Sequence, residues 1–201
     1  EIPATIFLTT GSIGTDRPLW HDQVFTALAL TKEQQLEFDR ETLPIMTLAQ
    51  RQTAASRMTQ LLKIMKTEER NQSVQDILKQ AGISPNAALQ RSPMLDWDQI
   101  RYMKDRNITF GAHTVNHPVL AHLEHDEQKR EISESIQVVE LYLQEKVTLF
   151  AYPNGRKRDL NGDTLSILSD QGLEAAFSTE FGINDITVEP LLLRRITAWD
   201  H

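Results

Sequence analysis

Short apolar runs alternate with longer stretches of helical periodicity along the chain. Ala4-Thr5-Ile6-Phe7-Leu8-Thr9 has the β-branched and aromatic content of a buried strand, and Thr10-Gly11-Ser12-Ile13-Gly14-Thr15 is the polar loop that leaves it. From Trp20 to about Ala81 the pattern changes to Gln, Glu, Lys and Leu, broken by turn signals near Pro44 and Asn71. This predicts several helices inserted after the first strand, the last of them ended by Gly82. Leu61 and Met65, and later Val74, Ile77, Leu78 and Ala81, fall at helical spacing and read as core.

Asp96-Trp97-Asp98-Gln99 has the acid-x-x-Gln form of a capping box and predicts a helix of about ten residues feeding a strand at Ile108-Thr109-Phe110. Asp126-Glu127-Gln128-Lys129 starts a longer helix, in which Ile132, Ile136, Val139 and Leu143 form one apolar stripe and the opposite face is charged and solvated. A strand at Thr148-Leu149-Phe150-Ala151, a turn at Tyr152-Pro153-Asn154-Gly155 and a helix over residues 163–171 follow, with Gly172 ending the helix. Ala175-Ala176-Phe177-Ser178 and Leu191-Leu192-Leu193 read as two further strands. Strand and helix in alternation predict parallel βα units, whose sites gather on loops leaving the carboxyl ends of strands.

With 201 residues, 40% hydrophobic and 24% charged, one domain over residues 1–201 is expected, carrying the helical insertion at about residues 20–92. A net charge of -7 without any basic patch argues against nucleic-acid partners and anionic membranes. No run reaches the ~18 apolar residues of a membrane span. The absence of cysteine excludes disulfides, thiolate nucleophiles and Cys-ligated metals, so any metal relies on His, Asp or Glu. Glu1-Ile2-Pro3 has neither an initiator methionine nor the basic start of a signal peptide, which suggests a start that has been cut.

Candidate chemistry centres on Gly111-Ala112-His113-Thr114-Val115-Asn116-His117-Pro118. Pro118 disfavours helical geometry at His117, so the two imidazoles sit on a strand-end loop rather than on a helix face. Paired there, they suit a borderline-soft divalent cation such as zinc, for which a catalytic site needs one more protein ligand and an open position. Gly111 permits close backbone approach, and Thr114 and Asn116 are short polar side chains able to hold the loop or to bond the imidazoles. Trp20 and His21 also follow a strand-end loop; lining a site and simple packing both fit them.

The segments from Met94-Leu95-Asp96-Trp97 to the histidine loop, together with Phe150-Ala151-Tyr152-Pro153-Asn154-Gly155 and Ile2-Pro3-Ala4-Thr5-Ile6-Phe7-Leu8, resemble the polysaccharide deacetylases of the NodB-like type, carbohydrate esterase family 4. The resemblance implies a distorted, incomplete (β/α) barrel of the α/β class. It also implies a metal-dependent hydrolase that removes N- or O-acetyl groups from an acetylated polysaccharide, with zinc or another divalent metal held by His113 and His117. Asn154 takes the position of a backbone oxyanion donor, and Tyr152 and Trp20 are candidates for substrate binding. The family's third ligand and its base are aspartates of a T-F-D-D-G motif on a first strand; no Asp-Asp pair occurs here, so that strand and its helix are expected upstream of residue 1, and the chain as it stands is expected to be inactive.

Ala151 stands where the family often has arginine, and Leu193-Arg194-Arg195-Ile196 lacks the family's late histidine; the terminal His201 reads as incidental. These departures keep open a catalytically silent carbohydrate- or partner-binding barrel, and more remotely a cyclic-amide hydrolase. A cell-envelope or secreted setting is what the resemblance suggests.

Overall fold

The computed structural model describes residues 3–84, 87, 93–196 and 198. The chain divides into two compact units, one made of residues 1–13 with 96–201 and the other of residues 14–95.

In the first unit five strands form one parallel sheet. β1 (Ala4–Leu8) pairs with β4 (Ile108–Ala112), which pairs with β5 (Leu149–Ala151), then β6 (Ala175–Phe181) and β7 (Leu193–Arg195). Within this sheet each strand lies beside the next in the chain, the winding of a (β/α) barrel; the five described strands form an open arc of one, with β1 and β7 at its edges. Parallel alignment places the carboxyl ends of β1, β4 and β5 in a row. The loops at Thr9, His113 and Tyr152 therefore emerge side by side.

Three helices accompany this sheet. α4 (Trp97–Lys104) starts on the predicted capping box, Asp96 accepting from Gln99 N while the Gln99 side chain accepts from Asp96 N. α5 (His125–Leu143) buries Ile132, Ile136, Val139 and Leu143, each side chain worth about 1.5–3 kcal/mol in area removed from water. The buried surface is wider than that stripe, for Gln128, Glu131 and Ser135 are buried too. α6 (Gly162–Asp170) opens on Asn161, whose side chain accepts from Thr164 N, and the Thr164 hydroxyl donates to Gln128 Oε1 at 2.6 Å. This pairing offsets the cost of burying two polar side chains. The last strand differs from the pattern-based expectation: Pro190–Leu192 forms a 3₁₀ turn, and β7 begins only at Leu193. A proline opening the run favours a helical turn over strand pairing.

The second unit holds α1 (Trp20–Leu30), α2 (Leu48–Leu62) and α3 (Thr67–Gln80) around Val24, Leu28, Met58, Leu62, Val74, Ile77 and Leu78. Gly82, at φ +65°, ends α3, with Ile83 N donating to Leu78 O. The insertion is not wholly helical, as the sequence pattern had implied. β2 (Gln35–Phe38) and β3 (Glu41–Pro44) form an antiparallel hairpin. The intervening Asp39 and Arg40 both have positive φ, as a type I′ turn demands, and the hairpin follows the two-residue alternation that buries Leu36 and Phe38 while exposing Glu37.

Candidate active site at the strand ends

β4 delivers the histidine loop onto the middle of the row of strand ends. Gly111 is buried directly against the Phe7 ring, and an added Cβ there would come within 2.6 Å of it. Only a residue without a side chain lets β1 and β4 pack this way. His113 N donates to Leu8 O at 3.0 Å, Thr10 N to Thr114 O at 3.1 Å and Gly11 N to Val115 O at 2.9 Å, so the loop after β1 continues the ladder alongside the histidine loop.

The loop then turns sharply. Thr114 and His117 both lie in the left-handed region, at φ +65° and +54°. The buried Thr114 hydroxyl donates to His113 O and accepts from His117 N at 3.0 Å, linking the main chain of one histidine to that of the other. As a result the two rings meet edge to face, with centroids 4.8 Å apart and an interplanar angle of 76°. The Nδ1 of His113 is 2.6 Å from Ala151 O at the end of β5. A carbonyl can only accept, so that nitrogen carries the proton and Nε2 keeps the lone pair. The Nδ1 of His117 is buried. Imidazoles are ligands of the kind a zinc-like cation takes, and the His113 ring is oriented by a main-chain carbonyl. Among the described residues no further His, Asp or Glu joins the pair in a group of three.

The turn after β5 is equally tied. Tyr152 N donates to Phe177 O, Thr179 N to Gly155 O, and Thr179 Oγ1 to Asn154 O at 2.6 Å. Asn154 sits at φ +61°, and its Nδ2 is buried without an acceptor among the described residues. The Tyr152 ring is 1% exposed and its hydroxyl donates to Leu191 O. Burial, followed by the charge of Glu189, pushes this phenol well above its ordinary pKa. Tyr152 is thus placed as a buried strut under the turn, its polar end engaged.

Trp20 belongs to the other unit, where it is 5% exposed in the helical core with the Arg70 guanidinium 5.3 Å from its ring centre. Beside it, burial lowers the pKa of His21, Lys63 and Arg70 add to this, and Asp22 opposes it. Arg195, in the Leu193-Arg194-Arg195-Ile196 segment that lacks the family's late histidine, donates from Nε to Ser178 O at 2.6 Å. His201 lies outside the described residues.

Two participants escaped the sequence pattern. The acceptor at Ala151 is a main-chain group that no residue type reveals. Glu131 accepts from Val115 N, Asn116 N and Asn116 Nδ2 at 2.9, 2.9 and 2.7 Å; the available signal was an acid immediately before the apolar stripe position Ile132.

A parallel α/β sheet with an imidazole pair at its strand ends places the chain among α/β proteins with barrel-type winding. The family model for polysaccharide deacetylase matches residues 1–176, and the chain belongs to that family. Among solved structures it is similar to the Streptococcus pyogenes deacetylase PplD in complex with acetate, at 27% identity over 62% of this chain and 57% of that one, with a TM-score of 0.49. IcaB from Ammonifex degensii is similar at 24% identity over 53% of this chain and 48% of that one, TM-score 0.47. A de-N-acetylase from Aggregatibacter actinomycetemcomitans is similar at 14% identity over 86% of this chain and 57% of that one, TM-score 0.45. The chain therefore spans about half the length of these structures. Comparison with curated proteins gives no match.

Proposed function

We propose that this chain carries the imidazole half of a metal-dependent deacetylase site, acting on N- or O-acetyl groups of a polysaccharide. The observation that carries this is the meeting of His113 and His117 at the carboxyl ends of the strands, with His113 Nδ1 on the Ala151 carbonyl. That bond fixes His113 as the Nδ1-protonated tautomer, whose Nε2 is the nitrogen of the type a cation takes, with the adjoining His117 ring as the second ligand. When bound, a zinc-type ion supplies Lewis acidity to a water and to the acetyl carbonyl. Asn154, held by Thr179 at a positive φ, is the candidate donor for the developing oxyanion through its main-chain N–H. The carboxylates that complete such a site, one as ligand and one as base, are not supplied beside the pair by any described residue. The chain by itself is accordingly expected to release no acetate.

The test measures acetate released from an acetylated sugar oligomer. The chain alone should stay at background. A version carrying an Asp-Asp segment on a strand added before β1 should turn over and be silenced by a chelator, with His113→Ala and His117→Ala each costing several orders of magnitude. Turnover insensitive to chelator overturns the metal dependence. A second reading, a silent carbohydrate-binding barrel, is favoured by Ala151 standing in place of a base-orienting arginine. Binding of the oligomer with no turnover in any version would establish it.

A further inference from the structure

Glu131 is 3% exposed, yet it is a carboxylate in the second turn of α5 with no cation bonded to it among its described partners. Instead its Oε2 accepts from two consecutive main-chain N–H groups, Val115 and Asn116, and its Oε1 from the Asn116 side-chain amide. Consecutive N–H groups following a left-handed residue form a concavity that favours an anion. Thr114 at φ +65° creates that concavity here, and Glu131 fills it. We propose that Glu131 is a positioning residue for the imidazole pair: it clamps the two residues that separate His113 from His117 and so makes both rings face one ligand position. The proposal rests on the metal reading above.

Two left-handed non-glycine residues flank the clamped segment, and such backbone persists only where its surroundings over-determine it. Thr114 closes the loop at its ends, through His113 O and His117 N, whereas Glu131 secures its middle from a different element. That element is itself fixed by the stripe Ile132, Ile136, Val139 and Leu143. With three donors on its two oxygens, the carboxylate is committed to the loop. It is therefore assigned to holding the ligands and not to being the third ligand or the base.

The experiment compares the whole chain with Glu131→Ala, Glu131→Gln and Thr164→Val, using Zn²⁺ alone as the probe and amide hydrogen exchange at Val115 and Asn116 as a second readout. Glu131→Ala should weaken zinc binding by about 10–100-fold, the usual scale for losing a group that orients metal ligands. It should also speed exchange at both amides by at least about tenfold, since their acceptor is gone. Glu131→Gln, whose amide oxygen can still take both main-chain donors, should fall between the two; it also decides the matter if the alanine variant does not fold. Thr164→Val should lower the melting temperature while leaving zinc affinity within about twofold, because it loosens the helix packing and not the loop.

Zinc binding by Glu131→Ala equal to that of the parent overturns the proposal, as does an equal loss in Thr164→Val. If His113→Ala binds zinc as the parent does, it is the metal reading that fails. Exchange at Val115 and Asn116 then decides whether Glu131 shapes the loop, and unchanged protection in Glu131→Ala overturns that too.

Discussion

The Nδ1 of His113, on the residue that follows β4, lies 2.6 Å from the main-chain oxygen of Ala151 at the end of β5. Because the acceptor is a carbonyl, the neutral ring is held as the tautomer protonated at Nδ1, with the lone pair on Nε2. Nitrogen-15 spectra of the metal-free protein above the histidine titration range should show His113 with Nε2 unprotonated. A signal from the opposite tautomer would contradict this geometry and remove the donor that the proposed metal site needs.

Gly111→Ala should destabilise the first unit by about 1–3 kcal/mol, the range for overpacking a well-filled core. Its Cβ would lie 2.6 Å from the Phe7 ring and 2.7 Å from Leu149 O, and the second of these is backbone that cannot swing aside. Thermal unfolding checks the size of the loss, and histidine spectra check whether the rings shift with the strand. An unchanged melting temperature would mean that β1 and β4 are not packed this closely.

Stability should fall at high pH in a way that depends on Tyr152. Its phenol is held above the ordinary pKa by burial and by Glu189, so the folded state keeps a proton that the unfolded state gives up. The contribution is fully present below the unfolded value and is lost as pH rises past it, so the melting temperature should drop more steeply from about pH 9.5 to 11 in the parent than in Tyr152→Phe. At neutral pH the same variant should lose about 1 kcal/mol, since the Leu191 carbonyl loses its donor. Parallel pH profiles for the two proteins would refute the assignment.

Arg40→Gly should stabilise the second unit. Arg40 occupies the second position of the β2–β3 turn at φ +63°, where a side chain costs about 1–2 kcal/mol and glycine does not. Glycine also raises the entropy of the unfolded chain, so a net gain of about 0.5 kcal/mol is expected, measured by denaturant unfolding. A loss would show that the Arg40 side chain makes a contact worth more than its backbone strain.

The sequence alone determined much of this protein because its strongest signals are local. The Asp96–Gln99 capping box, the Ile132-Ile136-Val139-Leu143 stripe and the placement of His113 and His117 on a strand-end loop all depend on residues within a few turns of one another. The hairpin at residues 35–44 was legible in principle, but its alternation is only four residues long per strand, and it lacks the Asn-Gly that normally announces such a turn. What only the tertiary structure decided is pairing across long separations. The Ala151 oxygen meets His113 from 38 residues away, and Glu131 reaches Val115 from 16. A main-chain acceptor has no residue signature, and a buried acid on a helix looks like any solvated one until its partners arrive. The orientation of the histidines is therefore a property of three neighbouring elements, β4, β5 and α5, which no one segment of the chain carries.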